Sequence, residues 1–145
     1  MKSLKSKFIA VASGWRLAGW FGLLLVVDQV SKGLAAAAGG GLVTLNTGVS
    51  WGLFSAADNM IWLGFAGLLF LTWIFYFFKL NRWAQVLLLA GATSNLLDRF
   101  FYGGVRDWLK VPFLDLTNNL ADWFIFLAVV SLILEYLYGH NLRRS

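Results

Sequence analysis

Asp107 and Asp122 stand in two short polar stretches of an otherwise apolar chain, Gly103-Gly104-Val105-Arg106-Asp107-Trp108 and Asn118-Asn119-Leu120-Ala121-Asp122-Trp123. A charged side chain near a bilayer is costly, so its presence there calls for a reason. Two carboxylates that meet in a partly dry site share one proton, because close like charges do not both ionise cheaply. Such a pair suits peptide hydrolysis: one carboxylate activates water while its protonated partner polarises the carbonyl. Other chemistries lack their residues. The chain has no cysteine, and its single histidine, His140, falls near the C-terminus, on the opposite side from these stretches. With no H-E-x-x-H and no general base beside Ser94, neither a metal site nor a serine nucleophile is expected. Ser94 is read as a helix-packing residue.

Further polar residues stand at helical spacing. Asn95, Asp98 and Arg99 occupy i, i+3 and i+4 and so share a helix face. Asn119 and Asp122 are i, i+3 at the start of another helix, so both helices are expected to present polar groups at one depth. Asp107 lies in the loop between them and is expected to fold back toward Asp122. Asp98 and Arg99 are read as a network that hydrogen-bonds this irregular loop, whose backbone groups need partners at membrane depth. Blander readings exist for several of these. Asn119 serves as an ordinary helix N-cap, and Asp28 with Lys32, at i and i+4, reads as a surface ion pair of about 0.3–0.5 kcal/mol. Asn46-Thr47-Gly48 is a turn signal, with the Asn46 amide available to an extended peptide. Trp51, Phe54, Trp108, Phe113 and Trp123 either line a cleft or anchor the interface.

The elements that must position these residues are transmembrane helices. Of 145 residues, 59% are hydrophobic and only 13% charged, with a mean hydropathy of +0.70. Soluble domains are about a quarter charged. The apolar runs predict a single integral membrane domain, all-α, with spans at about 14–37, 59–78, 83–101 and 119–138. Gly39-Gly40-Gly41 ends the first. An extended, partly stranded outer segment is expected over about 40–57 and a polar outer loop over about 102–118. Lys2, Lys5 and Lys7 begin what is read as an uncleaved cytoplasmic lead-in. Lys and Arg gather at one side, which predicts both termini cytoplasmic and places the aspartates at the outer face. The net charge of +5 follows from this topology, so no nucleic-acid partner is expected.

Five motifs resemble, in order, those of lipoprotein signal peptidase (signal peptidase II): Asp28-Gln29-Val30-Ser31-Lys32, Asn46-Thr47-Gly48, Gly91 to Arg99, Gly104-Val105-Arg106-Asp107, and Asn119-Leu120-Ala121-Asp122. The resemblance implies a four-transmembrane-helix bundle with a small extracytoplasmic β-cradle. It implies an aspartyl endopeptidase of the bacterial cytoplasmic (inner) membrane that cuts prolipoproteins before a diacylglyceryl-modified cysteine. It makes Asp107 and Asp122 the catalytic dyad. Asp28, Lys32, Asn46, Asn95, Asp98, Arg99 and Asn119 take supporting or substrate-binding roles. The implied partners are the lipidated prolipoprotein and membrane lipids, with no metal or organic cofactor implied; a monomer is expected.

The chain departs from that pattern at three places. Val49-Ser50-Trp51 follows the Asn-x-Gly motif, the link from Lys32 to Asn46 is short, and Arg106 replaces an apolar residue beside Asp107. The Arg106 cation is expected to favour ionised Asp107. Two other functions compete with the peptidase: a non-catalytic binder of lipidated peptides, with the altered cradle and Arg106 as its signature, and a small transporter subunit. The second needs acids along a path through the membrane, whereas here they gather at one face.

Overall fold

Three long helices, α1 (Leu4–Ala38), α3 (Arg82–Tyr102) and α4 (Leu120–Leu142), carry most of the chain. The computed structural model describes residues 4–47, 64–70, 72–73, 81–114 and 116–142. Residues 64–70 and 72–73 are helical and are called α2. Four three-residue strands complete the described elements: β1 (Thr44–Asn46), β2 (Val105–Asp107), β3 (Leu109–Val111) and β4 (Leu116–Asn118). The Val49-Ser50-Trp51 departure, Phe54 and the rest of the outer segment from 48 to 57 lie outside the described residues.

Among the described residues two helices are long and apolar enough to cross a membrane, Gly14–Ala38 in α1 and Leu120–Tyr138 in α4. At about 1.5 Å per residue, either exceeds the roughly 30 Å hydrocarbon core or nearly matches it. Helix α1 ends where Gly39, Gly40 and Gly41 take φ of 67°, 67° and 71°, a left-handed run that side chains with a Cβ resist. Helix α3 begins at Asn81, whose Oδ1 accepts from the Trp83 N–H at 2.9 Å. It ends at Gly103, whose N–H donates to the Arg99 carbonyl.

Helix α3 sits between α1 and α4 and packs on both. The apolar part of its contact is made of small and aliphatic residues: Ala84, Leu88 and Ala128, backed by Leu87, Ile125 and Leu132. Close approach rests on Gly91, where an added Cβ would come within 2.5 Å of the Ala121 carbonyl oxygen. The large apolar side chains point outward instead, among them Trp15, Leu34, Phe100, Phe101, Phe126 and Tyr138. In water that arrangement would be unstable; in lipid it costs nothing, because acyl chains are as apolar as a protein core.

The centre of the molecule is polar. The largest fully buried side chains are Lys32, Asn119, Asp28, Asp98 and Ser94. The Lys32 ammonium lies 2.7 Å from Asp28 Oδ2 and 3.3 Å from Asp98 Oδ2, and donates to Asn95 Oδ1 at 2.9 Å. The reading of Asp28 and Lys32 as a surface pair is thus overturned: both are fully buried, and helical spacing alone did not reveal that α3 covers them. Asp28 also caps α4 from outside, its Oδ1 accepting from the Ala121 N–H at 2.9 Å. Ser94 is likewise more than a packing residue, since its hydroxyl donates to Asp28 Oδ2 at 2.6 Å.

Two antiparallel pairs lie beyond the helix ends. Strand β1 pairs with β2 in the register Thr44↔Asp107, Leu45↔Arg106, Asn46↔Val105. Strand β3 pairs with β4, Leu109 opposite Asn118. Thr44 joins the pairs, its hydroxyl donating to the Asp107 carbonyl at 3.2 Å and lying 2.8 Å from that of Thr117. Strand β4 leads through Asn119 directly into α4.

Two outcomes follow for stability, both read by thermal unfolding in detergent. Gly91→Ala should cost about 1–3 kcal/mol by forcing α3 from α4, whereas Gly33→Ala, with open space around its Cβ, should be nearly silent. Lys32→Met should cost about 3–5 kcal/mol, because it leaves Asp28 and Asp98 buried without their shared cation. Adding Asp28→Asn to Lys32→Met should recover part of that loss.

Candidate active site

Helix α4 opens with a reciprocal cap. The Asn119 side-chain oxygen accepts from the Asp122 N–H at 3.1 Å, and the Asp122 carboxylate accepts from the Asn119 N–H at 3.3 Å. This is a capping box in which Asn and Asp stand for the usual Ser/Thr and Glu. With its oxygen committed to the cap, Asn119 turns its NH2 to Asp107 Oδ1 at 2.6 Å. One asparagine therefore joins the two aspartates. The capping reading of Asn119 and its place beside Asp107 hold together.

The second contact to Asp122 comes from α3. Asn95 Nδ2 donates to Asp122 Oδ1 at 2.8 Å, while Asn95 Oδ1 accepts from Lys32. An ammonium has donors only, so Lys32 fixes which end of the Asn95 amide faces the carboxylate. Asp107 is buried in β2 and receives a second amide, Asn46 Nδ2 to Oδ2 at 3.1 Å. Asp122 is half-buried and lies nearer solvent. Arg99, also half-buried, donates to the Asn95 carbonyl at 3.3 Å and senses the charges of Asp122 and Asp107.

Burial pushes the Asp107 carboxyl above its ordinary value, and the charge of Asp122 pushes it the same way. The amide donors of Asn119 and Asn46 oppose this without cancelling it. The expectation that Arg106 favours ionised Asp107 is overturned. Arg106 turns away, with Nη2 2.8 Å from Asp98 Oδ1. The reason is local: successive side chains on a strand point to opposite faces, and a three-residue strand is too short to be read from periodicity. Asp98 accepts the Arg106 N–H at 3.0 Å, which matches its expected role of bonding the loop backbone.

All nine singled-out residues thus lie in one connected neighbourhood where the C-terminal parts of α1 and α3 meet the start of α4. Three partners were not singled out as site residues: Gln29, Ser94 and Arg106. Gln29 Nε2 donates to Ser94 Oγ at 2.8 Å and to Asp98 Oδ1 at 2.9 Å. The available signal was the i, i+4 spacing of Ser94 and Asp98, which puts both on the face that receives α1. A groove of about 640 Å³ opens between Lys110, Val111, Phe113 and Thr117 and reaches Thr44, the strand partner of Asp107; Asp107 itself does not line it. Of the aromatic residues proposed for a cleft, Phe113 borders this groove but is fully exposed, and Trp123 is exposed at the start of α4.

Comparison with known proteins agrees with this architecture. A lipoprotein signal peptidase of Synechococcus sp. (strain RCC307) is 38% identical over 143 residues, covering 83% of this chain and 93% of its own. One of Bartonella henselae is 33% identical over 110 residues, covering 69% and 68%. A bacterial membrane enzyme solved by the in meso method at 2.3 Å superposes with a TM-score of 0.71, covering 90% of this chain and 92% of that one. Its 22% identity makes that a likeness of fold. The family described as signal peptidase (SPase) II matches residues 20–138, a stretch that contains α3, the strands, every aspartate named above and the larger parts of α1 and α4. The chain belongs to the signal peptidase II family, whose members are membrane peptide hydrolases.

Proposed function

We propose that this protein removes the signal peptide from prolipoproteins, with Asp107 and Asp122 as an aspartyl dyad. The observation that carries the reading is the Asn119 bridge, which ties both carboxyls to one helix start while Asn95 orients Asp122 from the other side. Charge balance supports it. In the interior, Lys32 and Arg106 offset Asp28 and Asp98. Arg99 then remains as the cation near Asp107 and Asp122, so the group is neutral when the dyad holds one proton. Neutrality is the favoured state of a desolvated site.

In the proposed mechanism a water between the carboxyls gives a proton to the ionised one and attacks the scissile carbonyl. The protonated partner donates to the carbonyl oxygen, and the tetrahedral intermediate collapses with proton delivery to the leaving nitrogen. No covalent intermediate with the protein is formed. The proton belongs to the pair rather than to either residue.

The substrate is read as an extended peptide lying along the groove beside β1 and β3, cut before its diacylglyceryl-modified cysteine. A site at the outer membrane surface suits it: the acyl chains stay in lipid while the peptide bond meets water. The distribution of Lys and Arg supports four spans with both termini cytoplasmic and the dyad extracytoplasmic, in a bacterial inner membrane. The binder reading is not favoured, since the matching family and relatives are peptidases and Arg106, one part of its signature, is turned to Asp98.

Asp107→Asn or Asp122→Asn should lower cleavage of a diacylglyceryl-modified prolipoprotein by about 10²–10⁴-fold, the usual range for general acid–base groups. Substantial cleavage by either purified variant would remove it from the dyad. The pH dependence has a definite sign. With Asp107 raised from its ordinary value by burial and by the charge of Asp122, the shared proton persists to higher pH than in a solvated pair. The kcat/KM profile should therefore be bell-shaped, rising as the first carboxyl ionises. It should fall only as pH passes the raised value and the second proton leaves. A profile that stays flat through that descending region would contradict the shared proton.

A further inference from the structure

Arg106 makes four hydrogen bonds that join three elements. Its backbone N–H and its Nε donate to Asp98 Oδ2 at 3.0 and 3.3 Å, and its Nη2 donates to Asp98 Oδ1 at 2.8 Å. Nη2 also donates to Gln29 Oε1 on α1 at 2.8 Å. The guanidinium carbon lies 4.0 Å from the centre of the Tyr102 ring, which covers one face of the cation. Only 8% of the residue is exposed. A planar guanidinium held edge-on by a carboxylate and face-on by an aromatic ring has little freedom left.

We propose that Arg106 is a positioning residue of the cleavage reaction, clamping β2 to the end of α3 so that both aspartates are held in register. The proposal rests on the dyad reading above. It acts on Asp107 through the chain: Arg106 and Asp107 are consecutive in β2, so fixing one against α3 aims the other at Asn119 and Asn46. It acts on Asp122 through charge. With Arg106 on Asp98, the Lys32 ammonium is shared among Asp28, Asp98 and Asn95. Remove the guanidinium, and Asp98 is left with Lys32 as its only cation within ion-pair distance among the described residues. Lys32 is then drawn from Asn95, and the amide that donates to Asp122 loses its orientation. Arg106 touches neither carboxyl of the dyad, so its effect is on geometry.

Arg106→Lys isolates this role, because it keeps the charge and removes the fork. Steady-state cleavage of a diacylglyceryl-modified prolipoprotein should show kcat lower by about 10–100-fold, the scale of a small misplacement of reacting groups. KM should change little, and the melting temperature in detergent should stay near that of the parent. If Arg106→Lys does not fold, Arg106→Gln combined with Asp98→Asn removes both charges and is read in the same way. A parental kcat in the variant that folds would overturn the proposal. So would a loss of kcat that merely tracks the folded fraction, or one carried by KM alone. Asp107→Asn and Asp122→Asn measured alongside separate the two failures. Inactive Asn variants beside a fully active Arg106 variant refute the clamp alone, whereas active Asn variants refute the dyad itself.

Discussion

A lysine ammonium with no access to water sets the terms for the rest of this molecule. Lys32 is fully buried, and an isolated charge in such a place would be lost to neutralisation or unfolding. Its three acceptors come from two helices: Asp28 on α1, and Asn95 and Asp98 on α3. Each acceptor then carries a second obligation. Asp28 caps α4, Asp98 holds β2, and Asn95 orients Asp122. The fold is organised around the satisfaction of one cation, and the residues that satisfy it also place the carboxyls of Asp107 and Asp122, the proposed dyad.

Such a core makes sense for a membrane protein. Lipid supplies no strong drive to bury apolar side chains between helices, so packing of small residues and polar contacts define the assembly. Gly91 and Ala84 allow α3 and α4 to approach, and the polar cluster fixes their register. A buried ion network gives limited net stability for its cost. Its value here is geometric, since the proposed hydrolytic pair needs two carboxyls held at one separation with one proton between them.

The acids were legible in the sequence because a charge is rare in an apolar chain, and Asn119 and Asp122 because a capping pattern survives at membrane depth. Helix α3 was legible from its apolar run and the Asn95-Asp98-Arg99 spacing. Partners across elements were not. Nothing in the spacing of Asp28 and Lys32 says that α3 covers them, and Ser94 looked inert until Asp28 was brought to it. Arg106 was misread because neighbours in sequence were taken as neighbours in space, although a strand sends them to opposite faces. Family motifs carried the grouping of these residues; the direction of each side chain needed the fold.

In the proposed mechanism the two aspartates hold a single proton in a site that resists losing it. Infrared difference spectroscopy of the purified protein tests this directly, comparing the parent with the Asp107→Asn, Asp122→Asn double variant at neutral pH. The account predicts a protonated-carboxyl C=O band in the parent that is absent from the double variant. A parent with no such band at neutral pH, or a band unchanged in the double variant, would contradict it.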